Sequence, residues 1–199
     1  MENDISKKYS GFFTLVNRLN SDKKISILIG EKFEEFMKMW IAESTLDRQF
    51  RVLIVVMICG GLRISEALLL TKKDFFTEDG HLFAESDVLK KRRKDGRMIL
   101  IHPIAQQFVL DYINSKVGPL FDYTRDGIFK KLKRTFNIIG ICNHSWRHSM
   151  ISYYLFVAEL SREKIAKIMH ISVKIIDHYA HLDEKRTLKN VWPSNKEAS

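Results

Sequence analysis

Phe50-Arg51-Val52-Leu53-Ile54-Val55-Val56-Met57-Ile58-Cys59-Gly60-Gly61-Leu62-Arg63-Ile64-Ser65-Glu66 is the stretch from which the fold is read. From Phe50 to Ile58 it is apolar nearly all round, so a helix here belongs at the centre of a core rather than on its surface. Ser44-Thr45-Leu46-Asp47 offers N-cap candidates in front of it, and Gly60-Gly61 ends it. An arginine placed directly after such a helix, at a glycine break, is in an unusual position for a surface charge. Either Arg63 is a buried cation paired with Glu66 one helical turn on, or it is held there to meet a ligand.

Outward from this stretch the periodicity predicts further helices. On the N-terminal side, Ile29, Phe33, Phe36, Met37 and Trp40 recur at helical spacing between Ser26 and Glu43. Residues 1–25 are polar and mixed, with one apolar cluster at Phe12, Phe13, Leu15 and Val16, and predict a tail or short helix. On the C-terminal side, Ile64 to Leu70 predicts another helix. Leu82-Phe83 and Val88-Leu89 are strand-like, Lys90 to Arg93 is basic, Asp95-Gly96 signals a hairpin turn, and Met98 to Ile101 is a second apolar strand. Pro103 opens a helix over Ile104–Asn114. Helices follow over Asp126–Phe136 (basic and amphipathic), Ser145–Leu160, Arg162–Met169, Val173–His178 and Glu184–Val191. The expected architecture is mostly α with a small antiparallel β-sheet, an α+β domain over residues 26–183. Residues 184–199 form a C-terminal helix and tail that can pack on a neighbouring subunit.

The chain has 199 residues, 45% hydrophobic and 29% charged, enough apolar material for a packed core. Its formal charge of +9 points to an acidic partner, of which nucleic acid is the commonest. The two cysteines, Cys59 and Cys142, stand in apolar surroundings and read as reduced, buried thiols of a cytoplasmic protein. Met1-Glu2-Asn3-Asp4 lacks the pattern of a secretory signal. The longest apolar run, Val52 to Leu62, is far short of the ~20 residues of a membrane span.

Four separated segments carry chemistry. Gly61-Leu62-Arg63-Ile64-Ser65-Glu66 is the first. His144-Ser145-Trp146-Arg147-His148 puts His144 and Arg147 on one helical face. His170 closes the apolar helix that ends at Met169, and Tyr179 lies within Asp177-His178-Tyr179-Ala180-His181. Taken singly, each has a plain structural reading: an ion pair, a solvated helix start, a capping histidine, a packed tyrosine. Together, in this order and spacing, they resemble the tyrosine recombinase, or phage integrase, family. That family carries Gly-Leu-Arg-x-x-Glu, a lysine in a β-hairpin, His-x-x-Arg, and Leu-Gly-His followed nine residues later by a nucleophilic tyrosine. The resemblance covers roughly residues 26–190. One departure stands out: Ile168-Met169 replaces the Leu-Gly before His170.

The resemblance implies a tyrosine recombinase catalytic domain that cleaves and rejoins DNA through a 3′-phosphotyrosine. The catalytic set is Arg63, Lys91, His144, Arg147, His170 and Tyr179, with Glu66 in support. Lys91 is favoured over Lys90 and Lys94 by counting back from the second strand; Lys90, Arg92, Arg93 and Lys94 are expected to neutralise DNA phosphates. The residue types suit the chemistry independently. A phenol can serve as nucleophile, two guanidiniums can hold non-bridging phosphate oxygens in fork geometry, and histidines can donate hydrogen bonds or move the phenolic proton. No cofactor, metal or ATP is implied. The implied partners are double-stranded DNA with specific recombination sites and a homo-tetramer on paired sites, with no membrane. About 25 residues precede the catalytic region, where full-length integrases carry a DNA-clamping domain, so the expectation is a fragment or a short, catalytic-domain-only member. Three other readings compete: a non-catalytic DNA-binding regulator on the same scaffold, a topoisomerase-like relaxing enzyme, and a metal hydrolase built on His144, His148, His170, His178 and His181.

Overall fold

The computed structural model describes residues 7–17, 24–86, 96–137, 142–177 and 179. In chain order the elements are β1 (Phe13–Asn17), β2 (Lys24–Leu28), α1 (Lys32–Ala42), α2 (Arg48–Gly60), α3 (Ile64–Ala67), a 3-10 turn (Lys72–Asp74), β3 (Phe75–Glu78), β4 (His81–Ser86), β5 (Arg97–Leu100), α4 (Pro103–Ser115), α5 (Arg125–Phe136), α6 (Asn143–Phe156) and α7 (Arg162–Met169). Residues 173–177 are again helical.

The core forms around α2, where every residue from Val52 to Gly60 is buried. The Asp47 carboxylate caps its first turn by accepting from the Gln49 N–H at 3.0 Å. Its last turn closes as a Schellman motif: Gly61 is left-handed (φ 53°), its N–H bonds the Ile58 carbonyl, and the Leu62 N–H bonds the Met57 carbonyl. Against α2 stand α6, α4 and the edge of β5. An aromatic cluster fills the space on the other side of α1. It comprises Tyr9, Phe13, Phe36, Trp40, Phe136 and Trp146, with ring centroids mostly 5–6 Å apart in tilted, edge and stacked pairs.

Two antiparallel sheets are present among the described residues, where the sequence predicts one. In the three-stranded sheet β4 is central, with Phe75 opposite Ala84 and Ser86 opposite Arg97. The second sheet is the β1–β2 ribbon, Phe13 opposite Leu28. Residues 7–10 are helical, in keeping with the short helix expected before residue 26, but the apolar residues Phe13, Leu15 and Val16 lie on β1, and the helix predicted from Ser26 begins only at Lys32. The physical reason is burial of β2 on both faces: Ile25, Ser26, Ile27 and Leu28 are all buried, so the alternation that marks a half-exposed strand is missing. β2 docks on α6, where the Leu28 N–H donates to Ser149 Oγ at 2.9 Å. A further correction is Cys142, which is half-buried, whereas Cys59 is fully enclosed; both are free thiols. Burial pushes the Cys59 thiol up to about 12, so it is an inert core group. The helix expected over Glu184–Val191 lies outside the described residues.

Candidate active site

A cleft of about 890 Å³ opens where the α2–α3 corner, β4, β5, α6 and the end of α7 meet. Its lining includes Arg63, Glu66, Arg97, His144, Arg147, His148 and His170. Five residues singled out in the sequence (Arg63, Glu66, His144, Arg147 and His170) therefore converge on one cavity.

Local sequence explains each placement. Gly61 turns the chain out of α2, Arg63 is extended (φ −73°, ψ 154°), and α3 starts immediately after it. Glu66 locks this corner, accepting from the Arg63 N–H at 2.8 Å and from Arg63 Nη1 at 2.7 Å. Arg147, from the first turns of α6, donates Nε–H to the Gly61 carbonyl at 2.8 Å, and its Nη2 lies 3.8 Å from the other Glu66 oxygen. One carboxylate thus holds two guanidiniums side by side. Burial pushes the Glu66 carboxyl up, but the Arg63 hydrogen bonds and the two positive charges outweigh it and hold the group below its ordinary range. Arg147 is drawn down by burial and by the Arg63 charge, against the pull of Glu66.

His170 caps α7 in the left-handed region (φ 51°, ψ 48°). A non-glycine residue there costs about 1–2 kcal/mol, and such strain collects at functional positions. Met169, the departure from the family pattern, is the last residue of α7 and fully buried. Its methyl occupies the space that a side chain on Gly61 would need.

One cleft residue, Arg97, was not singled out in the sequence, and a second, His148, was weighed there only as a metal ligand. Arg97 is 4% exposed; its Nη2 donates to the Gly60 carbonyl and contacts Met169 Sδ at 3.4 Å. Burial and the Arg147 charge push its guanidinium down to about 10. The signal was present, because strand alternation puts Arg97 on the same face as the core residue Ile99. The second is His148, one turn along α6 from His144, with ring centroids 6.3 Å apart. Its Nδ1 is hydrogen-bonded to the Tyr179 hydroxyl, and the two rings lie 5.2 Å apart. Tyr179 itself is buried.

Lys90, Lys91, Arg92, Arg93 and Lys94 lie outside the described residues, as do His178 and His181. The segment that carries the basic run leaves β4 at Ser86 and returns to β5 at Arg97, and both of these residues line the cleft. Among the described residues, no group of three or more His, Cys, Asp or Glu side chains is arranged to hold a metal ion. Nor is any helix among them long and apolar enough to cross a membrane.

No protein-family model and no curated protein matches this sequence. Solved structures do match. The XerH site-specific recombinase bound to its palindromic difH substrate, in a post-cleavage complex, is 19% identical with a TM-score of 0.63, over 86% of this chain and 54% of that one. The catalytic domain of bacteriophage HP1 integrase is 18% identical with a TM-score of 0.53, over 86% of this chain and 99% of that one. The Tn1549 transposon integrase in complex with circular intermediate DNA is 18% identical with a TM-score of 0.55, over 81% of this chain and 62% of that one. The chain thus spans about half the length of the XerH chain it matches and nearly all of the HP1 catalytic domain. Its fold is the tyrosine recombinase catalytic-domain fold, mostly helical with small antiparallel sheets.

Proposed function

We propose that this chain is a tyrosine recombinase: it cleaves and rejoins DNA at specific sites through a covalent 3′-phosphotyrosine on Tyr179. The observation that carries this reading is the convergence of Arg63, Arg147, His144 and His170, from three separate segments, on one cleft beside the Tyr179–His148 pair. Arg63 and Arg147 share the single carboxylate of Glu66 there, with Arg97 also lining the cleft, and this excess of positive charge suits an anion that gains negative charge as it reacts. The scissile phosphate binds with its non-bridging oxygens on Arg63 and Arg147, and these same donors strengthen as the phosphorus becomes five-coordinate. His144 and His170 donate further hydrogen bonds. Lys91, in the segment between β4 and β5, protonates the departing 5′ oxygen, and Lys90, Arg92, Arg93 and Lys94 hold neighbouring phosphates. The tyrosyl phosphodiester conserves the energy of the broken bond, so rejoining needs neither ATP nor a cofactor, and Arg63 and Arg147 do the electrostatic work that a metal does elsewhere. Strand exchange on paired sites calls for four subunits.

Covalent capture tests the reading. Wild-type protein is mixed with a pool of nicked duplexes of randomised sequence, and DNA that remains attached after denaturation in detergent is sequenced. An adduct mapping to Tyr179, absent from Tyr179→Phe and insensitive to chelator, is the expected result. A non-catalytic DNA-binding regulator gives no adduct with either protein, and an adduct on another residue rejects the assignment of Tyr179.

A further inference from the structure

We infer that His148 is the general base that takes the phenolic proton of Tyr179. The inference rests on the strand-exchange reading above and deepens it, since neither residue order nor spacing singles out this histidine. A tyrosine phenol has an ordinary pKa near 10, so at neutral pH it needs a partner to receive its proton as the oxygen attacks. Two further histidines line the same cleft, and each is a chemically competent base. The observed contact with the nucleophile falls on His148. The hydroxyl of Tyr179 is hydrogen-bonded to Nδ1 of His148, the arrangement that joins a nucleophile to its base. The two rings are tilted by 33° at a centroid distance of 5.2 Å, which keeps the phenol oxygen against the ring edge.

The backbone explains why His148 is fixed in this place. It follows Arg147 directly on α6, and Arg147 is anchored to the Gly61 carbonyl at 2.8 Å. Ser149, on its other side, is buried and accepts from the Leu28 N–H at 2.9 Å. The base and the phosphate clamp therefore sit on one rigid turn of helix, pinned on both sides.

With the imidazole proton on Nε2, the lone pair of Nδ1 accepts the phenolic hydrogen. As the bond from Tyr179 Oη to phosphorus forms and the bond from phosphorus to the 5′ oxygen breaks, that proton passes to Nδ1 and leaves an imidazolium. The 5′ oxygen departs as a hydroxyl with a proton from the acid assigned to Lys91. Rejoining runs in reverse: the 5′ hydroxyl attacks phosphorus and gives its proton back to the amine assigned to Lys91, the bond from phosphorus to Tyr179 Oη breaks, and the imidazolium returns its proton to the leaving phenolate. His144 and His170 are then left to hold the phosphate.

Three arms test this on the full chain. In single-turnover cleavage of the nicked duplex captured by the wild type, His148→Asn keeps a hydrogen-bond acceptor but no useful basicity; it should cleave roughly 10²–10⁴-fold more slowly with unchanged binding. His148→Ala should regain part of its rate when imidazole is added. Replacing the bridging 5′ oxygen with sulfur, which leaves without an acid, should not restore His148→Asn, whereas it should restore Lys91→Ala. Cleavage by His148→Asn at the wild-type rate, or full rescue by the sulfur substrate, overturns the inference. Independently of activity, nitrogen NMR of labelled histidines in the free protein should show His148 as the Nε2–H tautomer and a changed Nδ1 signal in Tyr179→Phe. An Nδ1–H tautomer overturns the inference even if no DNA is cleaved. If the wild type forms no adduct at all, it is the strand-exchange reading that fails.

Discussion

Arg63 and Arg147 carry the same charge and sit in contact with the same carboxylate, yet they are held differently. Arg63 is tied through Nη1 and remains 42% exposed at its side chain, while Arg147 is 14% exposed and anchored through Nε. Each presents remaining N–H groups to the cleft as a planar fork, a shape a lysine cannot copy. Arg147→Ala should lower cleavage by orders of magnitude with DNA binding largely kept, and Arg63→Lys should recover only part of the Arg63→Ala loss, both read as single-turnover rates. Near-normal cleavage by either alanine variant rejects that residue. Glu66 acts on both arginines. Because its folded-state pKa is lowered, the stability it contributes is present above the ordinary glutamate range and is lost as pH falls through the depressed folded value. Glu66→Gln should therefore cost about 2 kcal/mol at pH 7, and the gap from wild type should close as the medium is acidified below about pH 4. Thermal melts across pH measure this; a gap that stays constant into acid would show that the carboxylate charge is not what stabilises the corner.

At the scale of elements, the decisive feature is the joint between α2 and α3. Its left-handed Gly61 ends one helix and supplies the carbonyl that anchors Arg147. A Cβ at this position meets the Met169 methyl and comes within 3.4 Å of the Arg147 backbone. Gly80, in the β3–β4 turn, is also left-handed (φ 77°), but a Cβ there would meet no described atom within 4 Å. Both alanine variants carry a backbone cost of about 1–2 kcal/mol. Gly61→Ala should exceed Gly80→Ala in lost stability and should also slow cleavage, since Met169 and Arg147 must shift. Equal melting temperatures for the two variants would mean that crowding at the joint is unimportant. Elements whose apolar residues recur at 3.6 spacing, α4, α5 and α7, were legible in the sequence to within a residue or so, and α1 was legible in its C-terminal part but not at its start. β2 was not, because a strand buried on both faces has the same apolar run as a buried helix. β3 was not either: Phe75-Phe76-Thr77-Glu78 is short and largely exposed, and its strand state comes from pairing with β4.

For the molecule as a whole, the formal charge of +9 is in keeping with the DNA partner proposed above. Residues 184–199, expected from the sequence to pack on a neighbouring subunit, lie outside the described residues. Leu188, Val191 and Trp192 fall at i, i+3 and i+4 in the sequence, and a helix that short needs a surface to dock on. A head-to-tail contact between neighbours would join four sites in a closed ring. A chain ending at residue 183 should bind a single site as before, load less cooperatively on paired sites, and fail to recombine them, as read by gel shift and a two-site recombination assay. Normal recombination by the shortened chain removes this segment from the assembly.

Sequence by itself determined the buried helix α2, the glycine joint after it, the mostly helical architecture and the candidacy of Arg63, Glu66, His144, Arg147 and His170, because these follow from local periodicity, backbone conformation and residue chemistry. Tertiary structure alone decided which groups meet. Arg147 reaches the Gly61 carbonyl across 86 residues of chain, and His148 meets Tyr179 across 31. Likewise, Met169 fills the space beside Gly61, and Arg97 is enclosed under the cleft by a contact spanning 37 residues. Such contacts depend on how helices and strands pack at a distance, and no local pattern encodes that packing.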